Sequence, residues 1–228
     1  MFSLYIVATP IGNLGDITIR ALEILKEVDL IVAEDTRRTK ILLNRYNIKR
    51  PMMSYYEHNR YKRIPSIINM LKNGKDVALV SDAGTPGISD PAYRLIRECL
   101  KEDINVTSIP GPSAVIAAVV QSGLPTDKFV FEGFLPKKKG RKTRLSILAS
   151  EERSIVLFES PERLIKTITD CINSLGNRPV AVCREMTKLH EEIFRGTLKE
   201  ALNYFTTKKP RGEFVIIIGK DNPNVYFN

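Results

Sequence analysis

The sequence predicts an α/β fold of two α/β domains, the first on a mostly parallel sheet and the second on a mixed one. Two observations carry this. In the first half, short apolar runs of strand length alternate with amphipathic stretches of helix length, the pattern of βα units on a parallel sheet. In the second half several apolar runs follow one another with no helix between them, which requires antiparallel neighbours. Pro110-Gly-Pro112 stands between the halves as a hinge, giving domains at 1–110 and 111–228.

Strands are expected at 3–8, 28–33, 76–81 and 105–109 in the first half, with a helical pattern beyond Asp16. A helix over 61–73 places Ile64, Ile67, Ile68 and Leu71 at helical spacing and stops at Asn73-Gly74. Another, from about 91 to 102, puts Leu95, Ile96, Cys99 and Leu100 on one face. The second half reads as strands near 128–133, 153–158, 179–184, 191–196 and 213–219. Helices lie at about 112–121, 141–149, 161–175 and 197–207. In the 161–175 helix Ser160-Pro161 is cap and first residue, and Gly176 ends it.

Three strands of the first half run into Gly/Pro turns and then helices: Thr9-Pro-Ile-Gly-Asn-Leu-Gly-Asp16, Ser81-Asp-Ala-Gly-Thr-Pro-Gly-Ile-Ser-Asp-Pro91 and Pro110-Gly-Pro-Ser-Ala114. The second is the most informative. Gly84 and Gly87 permit positive φ and let a ligand press on the main chain. Asp90 and Pro91 read as N-cap and first helical residue. Asp82 sits where a strand delivers side chains to the carboxyl edge of the sheet, the place where open α/β sheets bind ligands. Gly12 and Gly15 lack the third glycine of a dinucleotide fingerprint, and no Gly-Lys-Ser/Thr follows, so the Rossmann and P-loop readings fail.

At 228 residues with 43% hydrophobic content the chain is long enough for a real core and has the composition of a globular protein. No apolar run approaches the roughly 20 residues of a membrane span. Met1-Phe-Ser-Leu lacks the charged start of a signal peptide, so no membrane association and a cytoplasmic location are expected. Cys99, Cys171 and Cys183 have no paired spacing and read as small buried hydrophobes. With only two histidines besides, no metal site is expected.

Thirty-five Lys/Arg against 26 Asp/Glu leave a net charge of +9, which suits a polyanionic partner. Lys137, Lys138, Lys139, Arg141, Lys142 and Arg144 put six positive charges into eight residues around Gly140. That segment is either a solvated loop or an arm that grips phosphates without regard to sequence. Arg37, Arg38, Lys40 and Arg45, then Arg60, Lys62 and Arg63, add charge to the first domain. Tyr55, Tyr56 and Tyr61 lie among the latter group and either stack on unpaired bases or pack on their own domain.

Together with Ala33-Glu-Asp-Thr-Arg-Arg-Thr39, Tyr55-Tyr-Glu-His-Asn59, Glu159-Ser-Pro-Glu-Arg163, Arg184-Glu-Met-Thr-Lys188 and Gly212-Glu-Phe-Val215, the three loops resemble one family over nearly the whole chain. It is the tetrapyrrole-methylase-like family of S-adenosylmethionine (SAM) methyltransferases. Within it the chain is similar to the group that 2′-O-methylates a cytidine in the decoding centre of small-subunit ribosomal RNA. The resemblance implies SAM as cofactor, a cofactor cleft between two domains, small-subunit RNA as partner and a homodimer. It implies cofactor contacts at Pro10, Asp82, Gly84, Thr85, Ser113 and Ala114, and from the second domain at Phe158, Met186, Gly212 and Glu213. Two departures stand out. The family often has His where Tyr56 stands, and many members continue into a short basic helical extension beyond the point where this chain stops.

Methyl transfer to a ribose hydroxyl needs alignment of oxygen, methyl and sulfur, and a base for the hydroxyl proton. Glu34, Asp35, Glu57 and Glu185 are the acidic candidates, with His58 as an alternative. Asp35 and Glu57 are favoured because both are expected in loops, and Arg37 is placed to orient the acceptor phosphate. Two other functions remain open at this level: C-methylation of a tetrapyrrole precursor, whose carboxylates also suit a basic pocket, and non-catalytic ribosome binding.

Overall fold

A computed structural model describes residues 2–227. The chain divides into two compact units, Met1–Ser113 and Ala114–Asn228.

The first unit is four successive strand–helix steps closing on a fifth strand: β1 (Ser3–Val7), α1 (Ile19–Glu27), β2 (Leu30–Ala33), α2 (Thr36–Arg45), β3 (Met52–Ser54), α3 (Arg60–Lys72), β4 (Val77–Val80), α4 (Ala92–Lys101) and β5 (Asn105–Ile109). The strands pair in the order β3-β2-β4-β1-β5, every pair parallel. β2 and β4 are buried along their whole length, which is why both read as unbroken apolar runs rather than alternating ones. One face of the sheet packs on Ile67 and Leu71 of α3 and Leu95 and Cys99 of α4. The other packs on Ala21 and Leu25 of α1 and Leu42 and Leu43 of α2. Each fully buried leucine contributes about 1.5–3 kcal/mol of transfer free energy.

Two elements were not expected. α2 is rich in polar residues, and only Thr39, Leu42 and Leu43 are buried, so its periodicity is thin. β3 is a three-residue edge strand, too short to leave a pattern. The start of α4 lies one residue later than expected. Pro91 occupies the cap position, and the Asp90 carboxylate still accepts from the Ala92 N–H at 2.8 Å.

The second unit holds α5 (Ala114–Ser122), β6 (Phe129–Phe134), α6 (Arg141–Ala149), β7 (Ser154–Glu159), α7 (Pro161–Leu175), β8 (Pro179–Arg184), β9 (Glu192–Thr197), α8 (Leu198–Thr207) and β10 (Phe214–Ile218). The sheet order is β6-β7-β10-β8-β9, with β6 and β7 parallel and the other pairs antiparallel, a mixed sheet as the missing helices imply. Its core gathers Leu145, Leu148, Leu164, Ile168, Leu198 and Phe205 from α6, α7 and α8. Cys99, Cys171 and Cys183 are buried free thiols. Burial pushes them up to about 12, 12 and 11, so they are inert hydrophobes at neutral pH. Among the described residues no helix is long and apolar enough to cross a membrane.

Candidate active site

β1 and β4 are neighbours, yet α1 packs on one face of the sheet and α4 on the other. The two helices therefore leave to opposite faces, which makes the carboxyl edge here the switch point of a doubly wound sheet. Thr9, Pro10, Arg38, Ser81 and Asp82 line a small crevice at it. A short antiparallel bridge ties the loops after β1 and β4 together. The Thr9 N–H donates to the Gly84 carbonyl and the Gly84 N–H to that of Thr9, both at 2.9 Å. Thr85 Oγ1 donates to the Pro112 carbonyl at 3.2 Å, which brings in the third loop. Gly84 has φ +81°, and a Cβ at Gly111 would lie 3.0 Å from the Ala8 Cβ, so glycine is what allows these close approaches. Ser89 holds φ +66°, a strained backbone of the kind that collects at binding loops.

Four carboxylates stand at this edge. Asp82 accepts from the Asp35 N–H at 2.9 Å and lies 3.5 Å from the Arg38 guanidinium. Glu34 leaves the end of β2, and the Asp82 N–H faces its carboxylate. Burial first, then the like charges of Asp82 and Asp90, raise Glu34 above the ordinary carboxylate range. Asp90 clamps the glycine loop by accepting from the Gly87 N–H at 2.9 Å, and burial raises it as well.

Asp35 is differently employed. It is the N-cap of α2, accepting from the Arg37 N–H at 2.8 Å, and it holds the Arg37 guanidinium at 2.7 Å. Those contacts, the Arg37 side chain first, hold it down to about 2. A carboxylate so committed to its ionised form is a weak proton acceptor, and its geometry is that of a helix cap. Glu57 is exposed and paired with Arg60. Arg37 projects into solvent, its side chain 90% exposed. Glu34 was legible by the rule that selects Asp82, since each is an acid just past an apolar strand. Nothing in the spacing separates it from its neighbour Asp35.

Pro10 is buried, and Ser113 and Ala114 mark the junction into α5. In the second unit Phe158 meets Phe131 and Phe134 edge to face, at 5.0 and 5.7 Å between centroids. Met186 is buried between Glu185 and Thr187, which both take positive φ, +49° and +64°. Glu185 Oε1 accepts from the Glu213 N–H at 2.9 Å, and Lys188 bridges the Glu185 and Glu213 carboxylates. Gly212 has φ +87°, and its Cβ would fall 2.4 Å from Glu185 Cγ, so a side chain there would strain the backbone and displace Glu185.

The basic segment splits in two. Lys137, Lys138, Lys139 and Lys142 are exposed. Arg141 is 6% exposed: it pairs with Asp170 at 2.7 Å and donates to Thr167 Oγ1 at 2.8 Å and to the Pro136 carbonyl at 3.2 Å. Arg144 pairs with Glu132, a largely buried carboxylate. These two arginines hold α6 onto its unit and are not part of a free arm. Arg141→Ala is expected to cost about 3 kcal/mol, the penalty of breaking a buried pair, measured by chemical denaturation. Of the two readings open for Tyr55, packing on its own domain holds: it is 2% exposed and its hydroxyl donates to the Pro91 carbonyl at 3.3 Å.

Comparison with known proteins agrees with this architecture. The profile of the family described as Tetrapyrrole (Corrin/Porphyrin) Methylases matches residues 3–202. The chain is 57% identical over 222 residues to a protein of Thermotoga maritima named Ribosomal RNA small subunit methyltransferase I, covering 97% of this chain and 100% of that one. A protein of the same name from Bacillus subtilis is 43% identical, with 97% of this chain and 77% of that one covered. Among solved structures, a cobalt precorrin-4 methyltransferase of cobalamin biosynthesis aligns with TM-score 0.72 at 22% identity, over 95% of this chain and 94% of its own. A uroporphyrin-III C-methyltransferase of Thermus thermophilus aligns at 0.69 and 16%, over 96% and 95%. At such low identity these two speak for the fold. The profile match and the near-full-length relatives speak for the family, and the chain belongs to the tetrapyrrole (corrin/porphyrin) methylases.

Proposed function

We propose that this chain is a SAM-dependent methyltransferase that methylates the ribose 2′-oxygen of a decoding-centre cytidine in small-subunit ribosomal RNA. The observation that carries the cofactor reading is the carboxylate set at the β1/β4 crevice. The negative charges of Asp82 and Asp90 raise the cost of ionising the half-buried Glu34, and a cationic ligand relieves it. SAM, with its sulfonium and ammonium groups, is such a ligand, and the glycine-built loops give its polar ends main-chain partners. Pro10, Asp82, Gly84, Thr85, Ser113 and Ala114 are the proposed contacts in the first unit. Phe158, Met186, Gly212 and Glu213 are those carried from the second by family resemblance. The RNA reading is supported by relatives whose names state that substrate, together with the basic balance of the chain.

When bound, SAM supplies a methyl group on a positively charged sulfur. The chain's own residues do the rest. Asp82 anchors a cationic end and Glu34 takes the proton released from the ribose hydroxyl onto its carboxylate. Arg37, exposed beside the crevice loop, orients the acceptor phosphate. Lys137, Lys138, Lys139 and Lys142 hold the RNA backbone. The enzyme is expected in the cytoplasm, as a homodimer, as others of the family are.

Incubation with labelled SAM and alternative acceptors tests the substrate class. Label is expected in small ribosomal subunits and not in a polycarboxylate tetrapyrrole; the reverse would overturn the RNA assignment. Replacing the four exposed lysines by alanine is expected to weaken subunit binding and to flatten its salt dependence. With about 0.7 of a logarithmic unit of slope per phosphate on single strands, four lost contacts lower the slope by about 3.

A further inference from the structure

The groove between α3 and α4 lies on the first unit but outside the crevice just described. It measures about 440 Å³ and is lined by Tyr61, Ile64, Tyr93, Arg94, Arg97 and Lys101, with Pro65 and Glu98 completing it. Two aromatic rings stand out in it. Tyr61 is 66% exposed and Tyr93 60%, unusual for large rings on a soluble surface. Both are held in place. The Arg60 and Arg94 guanidiniums sit 5.0 and 5.5 Å from the centre of the Tyr61 ring. Arg97 donates to the Tyr93 hydroxyl at 3.1 Å. Lys101 is paired with Glu98 at 2.7 Å, whereas no carboxylate of the described residues forms an ion pair with Arg94 or Arg97.

The position of the groove follows from the parallel sheet. α3 and α4 each leave the carboxyl edge, and Tyr61 and Tyr93 occupy the second residue of their helices. The aromatic end of the groove is therefore at the same edge as Asp82 and Glu34. Arg97 and Lys101 recede along α4, about 6 and 12 Å further at 1.5 Å per residue. Pinned rings at the mouth and uncompensated guanidiniums behind them match a strand that offers base faces and phosphates together.

We infer that the α3–α4 groove, through Tyr61, Tyr93, Arg94 and Arg97, is a platform on which unpaired bases of the substrate RNA stack beside the crevice. This rests on the RNA reading above and adds where the strand flanking the acceptor lies. The charge of the groove favours an anionic strand over a second copy of this chain, which is itself basic.

Tyr93→Ala and the double variant Arg94→Glu/Arg97→Glu test it in the full chain. All three side chains are exposed, and an unchanged thermal midpoint with unchanged SAM affinity confirms that the fold and crevice survive. In methyl transfer to small subunits, Tyr93→Ala is expected to raise KM about tenfold with kcat within twofold, the size of one lost base stack. The double variant is expected to lower the salt slope of KM by about 1.4, for two lost phosphate contacts. Unchanged KM and slope in variants of a parent that does methylate subunits would overturn the groove and leave the function standing. A parent that binds SAM but transfers nothing to subunits would overturn the function, and the groove with it. A change in sedimentation on charge reversal would instead mark this face as a contact between copies and also overturn the platform.

Discussion

Asp82→Ala is expected to weaken SAM binding by about 10²-fold and to remove methyl transfer with it, while the protein stays folded. The magnitude follows from the loss of a charge-assisted contact in a partly dry crevice, about 1.5–3 kcal/mol, together with the loop it braces. Asp82 accepts from the Asp35 N–H and neighbours Arg38, so its removal also loosens the start of α2. Asp82→Asn separates the two effects. The amide oxygen keeps an acceptor for the Asp35 N–H but carries no charge for a cationic ligand. The asparagine variant is expected to melt like the parent and still bind SAM poorly in calorimetric titration. Parent-like SAM affinity in both variants would remove Asp82 from the cofactor site.

Glu34→Gln is expected to lower kcat by about 10²–10³-fold, well beyond its effect on SAM affinity, as befits a base whose positioned contribution is about 10²–10⁴-fold. The pH dependence gives the sharper signature. Burial, then Asp82 and Asp90, raise Glu34 in the folded state, so the fold favours its protonated form. Its ionisation therefore costs stability, and that cost appears as pH rises from the ordinary carboxylate range through the raised value. Activity moves the other way, rising with pH over the same interval as the base becomes available. Glutamine removes both: the variant is expected to be the more stable protein near neutrality and to lose the acidic limb of the kcat profile. Asp35 makes the opposite contribution. Its value near 2 adds stability that is complete above the ordinary carboxylate range and is lost only as pH falls towards 2. Asp35→Asn is thus expected to lower stability at neutral pH without abolishing that limb. A flat limb in Asp35→Asn and a normal one in Glu34→Gln would exchange the two roles.

The strand–turn–helix units of the first half were legible because fully buried parallel strands leave unbroken apolar runs and Gly/Pro turns mark their ends. The order β3-β2-β4-β1-β5 was not legible, because register between strands 70 residues apart leaves no local trace. The same distinction runs through the site. Asp82, Gly84 and Thr85 stand out in sequence since the loop chemistry is local. The roles of Glu34 and Asp35 depend on which carboxylate the α2 cap captures, and adjacent acids look alike before the helix is known. Arg141 shared a charge run with the lysines beside it and was separated from them only by Asp170, 29 residues on. Tyr55 and Tyr61 were equally plausible stacking rings until one proved to be core and the other surface. Tyr93, Arg94 and Arg97 lie outside the apolar stripe by which that helix is legible, and became a candidate surface once α3 was found alongside them.

The most direct test of the central claim is the chemical position of the transferred methyl group. Small ribosomal subunits lacking the modification would be incubated with the protein and labelled SAM, and their RNA digested to nucleosides. The label is expected on the ribose 2′-oxygen of a single cytidine. Label on a base, or none in the RNA at saturating SAM and subunits, would contradict the account.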